Sequence, residues 1–129
     1  MDKDKTIEIT EICNKIYQKN DEIEEIAECL EQAATDKAIA ISNYDKQLTI
    51  TTFKLKNGLI KQFTDEETGE VIDVPNMPAS SLEKLARGII YKECFEKEQK
   101  EASYKAKISR LEAKKAQLNG LQSTMKVIN

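Results

Sequence analysis

The chain has no histidine and no tryptophan, and only two prolines, four glycines and three cysteines in 129 residues. Without histidine there is no Ser-His-Asp or Cys-His nucleophilic site and no imidazole acid–base catalysis, and the commonest zinc ligand sets are excluded. The glycines Gly58, Gly69, Gly88 and Gly120 stand too far apart to build a GxxxxGK[ST] phosphate loop or a GxGxxG dinucleotide turn. Cys13, Cys29 and Cys94 are odd in number and widely spaced, with no CxxC pair. They are expected to pack as small hydrophobes in a reducing, intracellular setting. No apolar stretch comes after the Met-Asp-Lys-Asp-Lys start, so no secretory leader is expected. No apolar run approaches the about 20 residues that span a bilayer, so the expectation is a soluble protein in the cytoplasm of its cell.

Large apolar residues are also scarce. Leu, Ile, Val and Phe together make up just under a quarter of the chain, close to the level of about 20% below which chains tend to stay disordered. Charged residues reach 33%, a composition typical of long helices. A thin core rich in Ile and Ala implies that some apolar surface is buried by self-association, and a homodimer is the favoured form.

What the sequence does contain is two long helical patterns joined by a segment with strand and turn signals. The whole is expected to be one mainly α domain over 1–129: a short helix over 6–20, a long helix over 21–57, a β-hairpin or ordered loop over 58–80, a second long helix over 81–119 and a tail over 120–129. Ile9, Ile12 and Ile16 step by three and four residues, as a helix requires, and residues 1–5 are expected to fray. Asn20-Asp21 is a candidate break, with Asp21 and Glu24 in cap-like spacing. An apolar stripe then runs through Ile23, Ile26, Leu30, Ala34, Ala38, Ile41, Tyr44, Leu48 and Leu55. Residues 48–55 (LTITTFKL) have the β-branched content of a strand, but the stripe continues through them to Asn57-Gly58, a helix stop. Helix is the favoured assignment there. LIKQF and EVIDV flank an acidic turn, Pro75 and Pro78 close the segment, and Ser80 with Glu83 forms a capping box. The second stripe runs through Leu82, Leu85, Ile89, Ile90, Cys94, Tyr104, Ile108, Leu111 and Leu118 to Asn119-Gly120.

Net charge is −3 but is unevenly placed. Residues 1–45 hold 5 Lys against 12 Asp and Glu, whereas residues 97–129 hold 8 Lys and Arg against 3 Asp and Glu. A short connection makes the two long helices antiparallel, which sets the acidic start of the first beside the basic end of the second. The fold expected is therefore an antiparallel helical hairpin of coiled-coil type.

Two clusters are candidate sites. Asp65, Glu66, Glu67, Glu70 and Asp73 surround Gly69. Their spacing does not match an EF-hand loop, so the plain reading is a solvated turn. The functional reading is a partner-binding surface that imitates phosphates and occupies a basic groove on a target. The second cluster is Lys97, Lys100, Lys105, Lys107, Arg110, Lys114 and Lys115, with Tyr104 as a stacking ring. It suits phosphate tracking on nucleic acid. The acidic balance of the whole chain, the single Arg and the acidic helix expected alongside favour helix pairing instead. Glu22, Glu25 and Glu28 are expected in solvent, without the apolar surroundings a catalytic carboxylate pair needs. Tyr17, Tyr44, Tyr91 and Tyr104 fall near the stripes and suit either the edge of a core or a partner-facing anchor. No catalytic residue, metal ligand or cofactor is expected, and the chain reads as a non-enzyme.

The segments YDKQLTITTFKLKNG (44–58) and KLARGIIYKECFEKEQKEASYKAKISRLEAKKAQLNGLQS (84–123) resemble small helical proteins encoded in phages and prophages of Gram-positive bacteria. The similarity covers the last two thirds of the chain and lies in the order of elements, not in a chemical motif. It implies either an inhibitor that binds a host protein, including an anti-defence inhibitor of anti-CRISPR type, or a nucleic-acid-binding accessory of phage recombination or replication. It carries no functional residues with it. A structural coiled-coil adaptor and a small-molecule-sequestering oligomer are the remaining alternatives.

Overall fold

Ile12, Ile26, Ala33, Ala40, Tyr44, Thr51 and Leu55 are the buried residues of the first helix. Taken with the half-buried Ile9, Ile16, Lys19, Ile23, Leu30, Lys37 and Leu48, they recur in steps of three and four. That is the near-heptad spacing of a helix packed lengthwise on a partner. The computed structural model describes residues 3–128. The elements are α1 (Lys3–Lys56), β1 (Gln62–Thr64), β2 (Val71–Asp73), a 3-10 turn (Val74–Asn76), α2 (Ala79–Ile89) and α3 (Tyr91–Ile128). The mainly α class, with two long helices and a small antiparallel strand pair between them, is the one the sequence implies.

The chain divides into two compact units, one made of residues 1–35 and 102–129 and the other of residues 36–101. In the first, α1 and α3 segments run antiparallel: Lys15, Gln18 and Lys19 lie by Gln117 and Leu121, and Glu22 and Cys29 lie by Arg110 and Lys107. The Glu22 carboxylate accepts from the Lys114 ammonium at 3.0 Å, which joins the acidic and basic helix ends as the charge distribution suggests. In the second unit, Leu55, Val74, Leu85 and Ala86 form the core, with Leu48, Ile60, Phe63, Met77, Leu82 and Ile89 packed around it.

Several boundaries differ from those expected. No break occurs at Asn20-Asp21, and α1 is one helix of 54 residues. The apolar register passes through Ile16, Lys19, Ile23 and Ile26 without a phase shift, and Asn and Asp lower helix propensity only modestly. Lys3, Asp4 and Lys5 are already helical, while Met1 and Asp2 lie outside the described residues. Residues 48–55 are helix.

The stripe also runs differently through the alanines. Ala33 and Ala40 are buried, whereas Ala34 and Ile41 are half-buried and Ala38 is exposed. Each four-residue step overshoots a turn by about 40°, so Ile26, Leu30, Ala34 and Ala38 drift off the face that a three–four alternation keeps.

α1 ends as Asn57-Gly58 implies. Gly58 has φ +69°, Leu59 N–H donates to Lys54 O (2.9 Å) and Gly58 N–H to Leu55 O (3.4 Å), a Schellman closure. The Asn57 side chain adds a bond to Phe53 O at 2.8 Å.

The Ser80 capping box does not form. Pro78, in extended conformation, is the N-cap of α2, with no side-chain cap bond. Ser81 N–H donates to Pro78 O, and Glu83 pairs instead with Arg87 at 2.9 Å. The second long helix is interrupted at Ile90 (φ −98°, ψ 34°), after a Gly-Ile stretch of low helix propensity. Ile90 N–H still reaches Ala86 O and Cys94 N–H still reaches Ile90 O, both at 3.1 Å, so the interruption forfeits neither bond. Finally, α3 passes through Asn119-Gly120 to Ile128; Asn129 lies outside the described residues. No helix among the described residues is long and apolar enough to cross a membrane.

Candidate functional site

The acidic turn is held by its own first residue. β1 and β2 pair antiparallel, with Gln62 opposite Asp73, Phe63 opposite Ile72 and Thr64 opposite Val71. Beyond them Asp65 N–H donates to Glu70 O and Gly69 N–H to Asp65 O, both at 2.8 Å. The Asp65 carboxylate accepts from Glu67 N–H (3.0 Å) and from the Thr68 hydroxyl (3.0 Å). Gly69, at φ +73°, allows the left-handed turn. With its carboxylate committed to the turn, Asp65 acts as a brace. Glu66 and Glu67 are exposed, and neither carboxylate has an ion-pair or hydrogen-bond partner among the described residues.

The braced turn forms one wall of a concavity of about 390 Å³. Phe63 and Ile72 of the hairpin, Leu85, Gly88 and Ile89 of α2, and Tyr91 at the start of α3 complete the apolar lining, and Asp65, Glu66, Glu67 and Lys84 form the polar rim. Leu85 is at once a core residue and part of this lining, with Phe63 and Ile89 packed beside it. The floor is thus continuous with the packed interior of the unit. Gly88 leaves the α2 face open there: a Cβ built on it would meet no heavy atom within 4 Å. Tyr91 is 50% exposed, and the Lys92 ammonium lies 5.9 Å from its ring centroid.

The structure brings together three of the five acidic candidates, Asp65, Glu66 and Glu67. Glu70 serves the turn through its backbone. Asp73 accepts from Gln62 Nε2 at 2.9 Å and lines a separate depression with Lys61, Gln62 and Pro75. The apolar half of the concavity was not visible in the sequence. Its residues come from the hairpin, α2 and the start of α3, whose relative placement depends on hairpin register and on the break at Ile90, and the only sequence signal was Tyr91 as a tyrosine anchor.

The basic candidates do not gather on one exposed face. Lys97 and Lys100 belong to the unit of residues 36–101, and the other five to the unit of residues 1–35 and 102–129. The Lys97 ammonium lies 4.6 Å from the Tyr44 ring centroid and 3.9 Å from Glu101. Lys114 pairs with Glu22. Lys107 donates to the Ser103 hydroxyl at 3.2 Å, and with Arg110 it lines a pocket of about 120 Å³ beside Glu22, Glu25, Ile26 and Cys29. Lys100 is half-buried, whereas Lys105, Arg110 and Lys115 are exposed. At about 100° per residue those three point in different directions around the helix.

Glu22 is half-buried rather than solvated. Its carboxyl is held below the ordinary value near 4.5 by the Lys114 bond first and the Lys19 bond second, with burial opposing both. Tyr44 is core at 7% exposure, whereas Tyr17 is 70% exposed. Cys13 and Cys94 are half-buried, but Cys29 is exposed and does not pack as expected. Comparison of the chain with protein-family models, curated proteins and solved structures finds no match.

Proposed function

We propose that this chain is a non-enzymatic interaction protein that binds a host protein and inhibits it as an anti-defence inhibitor, one of the two roles implied by its resemblance to small helical proteins encoded in phages and prophages, in the cytoplasm of a bacterial cell. The observation that carries this reading is the concavity of residues 36–101, where an apolar floor continuous with the core is walled by the carboxylates of Glu66 and Glu67, which have no partner among the described residues. Apolar anchoring beside uncompensated charge is the arrangement by which one protein selects another.

Nucleic-acid binding is the weaker reading, because Lys97, Lys107 and Lys114 are engaged by Tyr44, Ser103 and Glu22. Self-association as a dimer belongs to the same proposal. It is supported by α3, none of whose residues is buried, so its apolar positions keep surface available. Sedimentation velocity tests the dimer.

The function is tested by capturing partners of the tagged chain from nuclease-treated bacterial lysate and assaying the captured protein's activity. One nuclease-resistant partner whose activity falls on adding the purified chain is the expected outcome. Partners that vanish with nuclease point to a nucleic-acid accessory and reject the inhibitor reading.

A further inference from the structure

We infer that the concavity beneath the acidic turn takes a basic amphipathic segment of a partner protein, with large apolar side chains seated over Gly88 and lysines or arginines against Glu66 and Glu67. This rests on the reading of the chain as a protein-binding molecule and specifies the chemistry of what it binds.

Three observations lead there. The first is charge. Three carboxylates and one ammonium line the rim, and the two exposed carboxylates have no partner among the described residues, so the wall favours a cation and repels an acidic segment. The second is preorganisation. Asp65 spends its carboxylate on the Glu67 amide and the Thr68 hydroxyl, which holds the neighbouring glutamates on a built turn and lowers the ordering cost of binding. The third is space. Gly88 leaves its helix face bare, with nothing within 4 Å of a Cβ placed there, and Ile72 and Tyr91 on the lining remain 37% and 50% exposed. The concavity has a volume of about 390 Å³. An amphipathic helix carrying apolar residues at i, i+3, i+4 and i+7, with cations flanking them, satisfies floor and wall together.

The full chain is titrated, with fluorescence anisotropy as readout, into two labelled synthetic helices. One has leucines at that spacing with lysines elsewhere, and the other keeps the leucines but replaces each lysine with glutamate. The lysine peptide is expected to bind at least about tenfold tighter. Gly88→Leu fills the floor and is expected to weaken binding about tenfold while helical circular dichroism and melting hold. The pair Glu66→Lys with Glu67→Lys, both at exposed positions, is expected to reverse the peptide preference, and it tests the wall even if the floor variant misfolds. Equal affinity for the two peptides, or a preference unmoved by the charge reversal, overturns the inference. So does a folded Gly88→Leu chain that binds as well as the parent. A lysate partner retained equally by the parent and by Gly88→Leu also overturns it, but leaves the protein-binding reading standing. Self-association lost in Gly88→Leu, with no peptide bound by the parent, places a second copy in the concavity and overturns it as well. The expected peptide results with no inhibited host protein support this inference and reject the inhibitor reading.

Discussion

Glu22 shows how one side chain can hold two helices in register. Its carboxylate accepts from Lys19 at 3.1 Å within α1 and from Lys114 at 3.0 Å on α3. Side-chain exposures near a quarter on all three groups mean that solvent screens the pairs only in part. Because the folded state holds this carboxyl below its ordinary value, the unfolded chain binds the proton more readily. The stabilisation is therefore fully present above the ordinary value near 4.5 and is lost as pH falls through the lower folded-state value. Thermal melts of the parent and of Glu22→Gln between about pH 6 and pH 3 are expected to converge toward the acid end. A difference that stays constant with pH shows that Glu22 contributes by packing alone. Composition made the acidic and basic helix ends visible as a matched pair. Which glutamate would sit in the seam depended on a three–four alternation that passes through Lys19 and not through the most apolar residue at each turn.

At the scale of elements, the same dipeptide has two outcomes. Asn57-Gly58 closes α1, with Gly58 at φ +69°, whereas Asn119-Gly120 lies inside α3 with no positive φ at Gly120. The residues after each glycine make the difference. After Gly58 the chain turns so that Ile60 can pack on the Leu55 core. After Gly120, the half-buried Leu121, Met125 and Ile128 extend the existing seam, which outweighs the propensity cost of about 1 kcal/mol for a helical glycine. Gly58→Ala is thus expected to destabilise by about 1–2 kcal/mol through left-handed strain, and Gly120→Ala to stabilise by up to about 1 kcal/mol. Urea titrations followed by helical circular dichroism measure both, and two shifts of the same sign would contradict this account of the helix ends. The helices, the hairpin and the acidic turn were legible because periodicity and turn chemistry are local. Ile90 was not, since a single non-helical residue that keeps both flanking hydrogen bonds leaves the apolar stripe unbroken. The floor of the concavity was hidden for a related reason: Phe63 and Ile72 meet Leu85 and Ile89 only after the hairpin has folded onto α2.

At the scale of the whole molecule, the buried residues are unequally shared between the two units. Residues 1–35 and 102–129 contain Ile12, Ile26 and Ala33 as buried positions, all on α1, whereas residues 36–101 contain Leu55, Val74, Leu85, Ala86, Ile90, Tyr44 and others. A two-helix seam with no buried residue on its α3 side removes less apolar surface from water than a core closed by α1, α2 and the hairpin. Local opening free energies track buried contact density, so protection from hydrogen exchange is expected to differ along α1 even though the helix is unbroken from Lys3 to Lys56. Amides near Thr51 and Leu55 should exchange at least about tenfold more slowly than those near Ile12 and Ile16, equivalent to about 1.4 kcal/mol of opening free energy. Lowering the pH below the ordinary carboxylate range should remove protection first in the unit that contains Glu22, after correction for the intrinsic exchange rate. Uniform protection from Ile12 to Leu55 would instead mean that the chain opens as one cooperative body, and that the helical continuity of α1 outweighs the uneven distribution of its core.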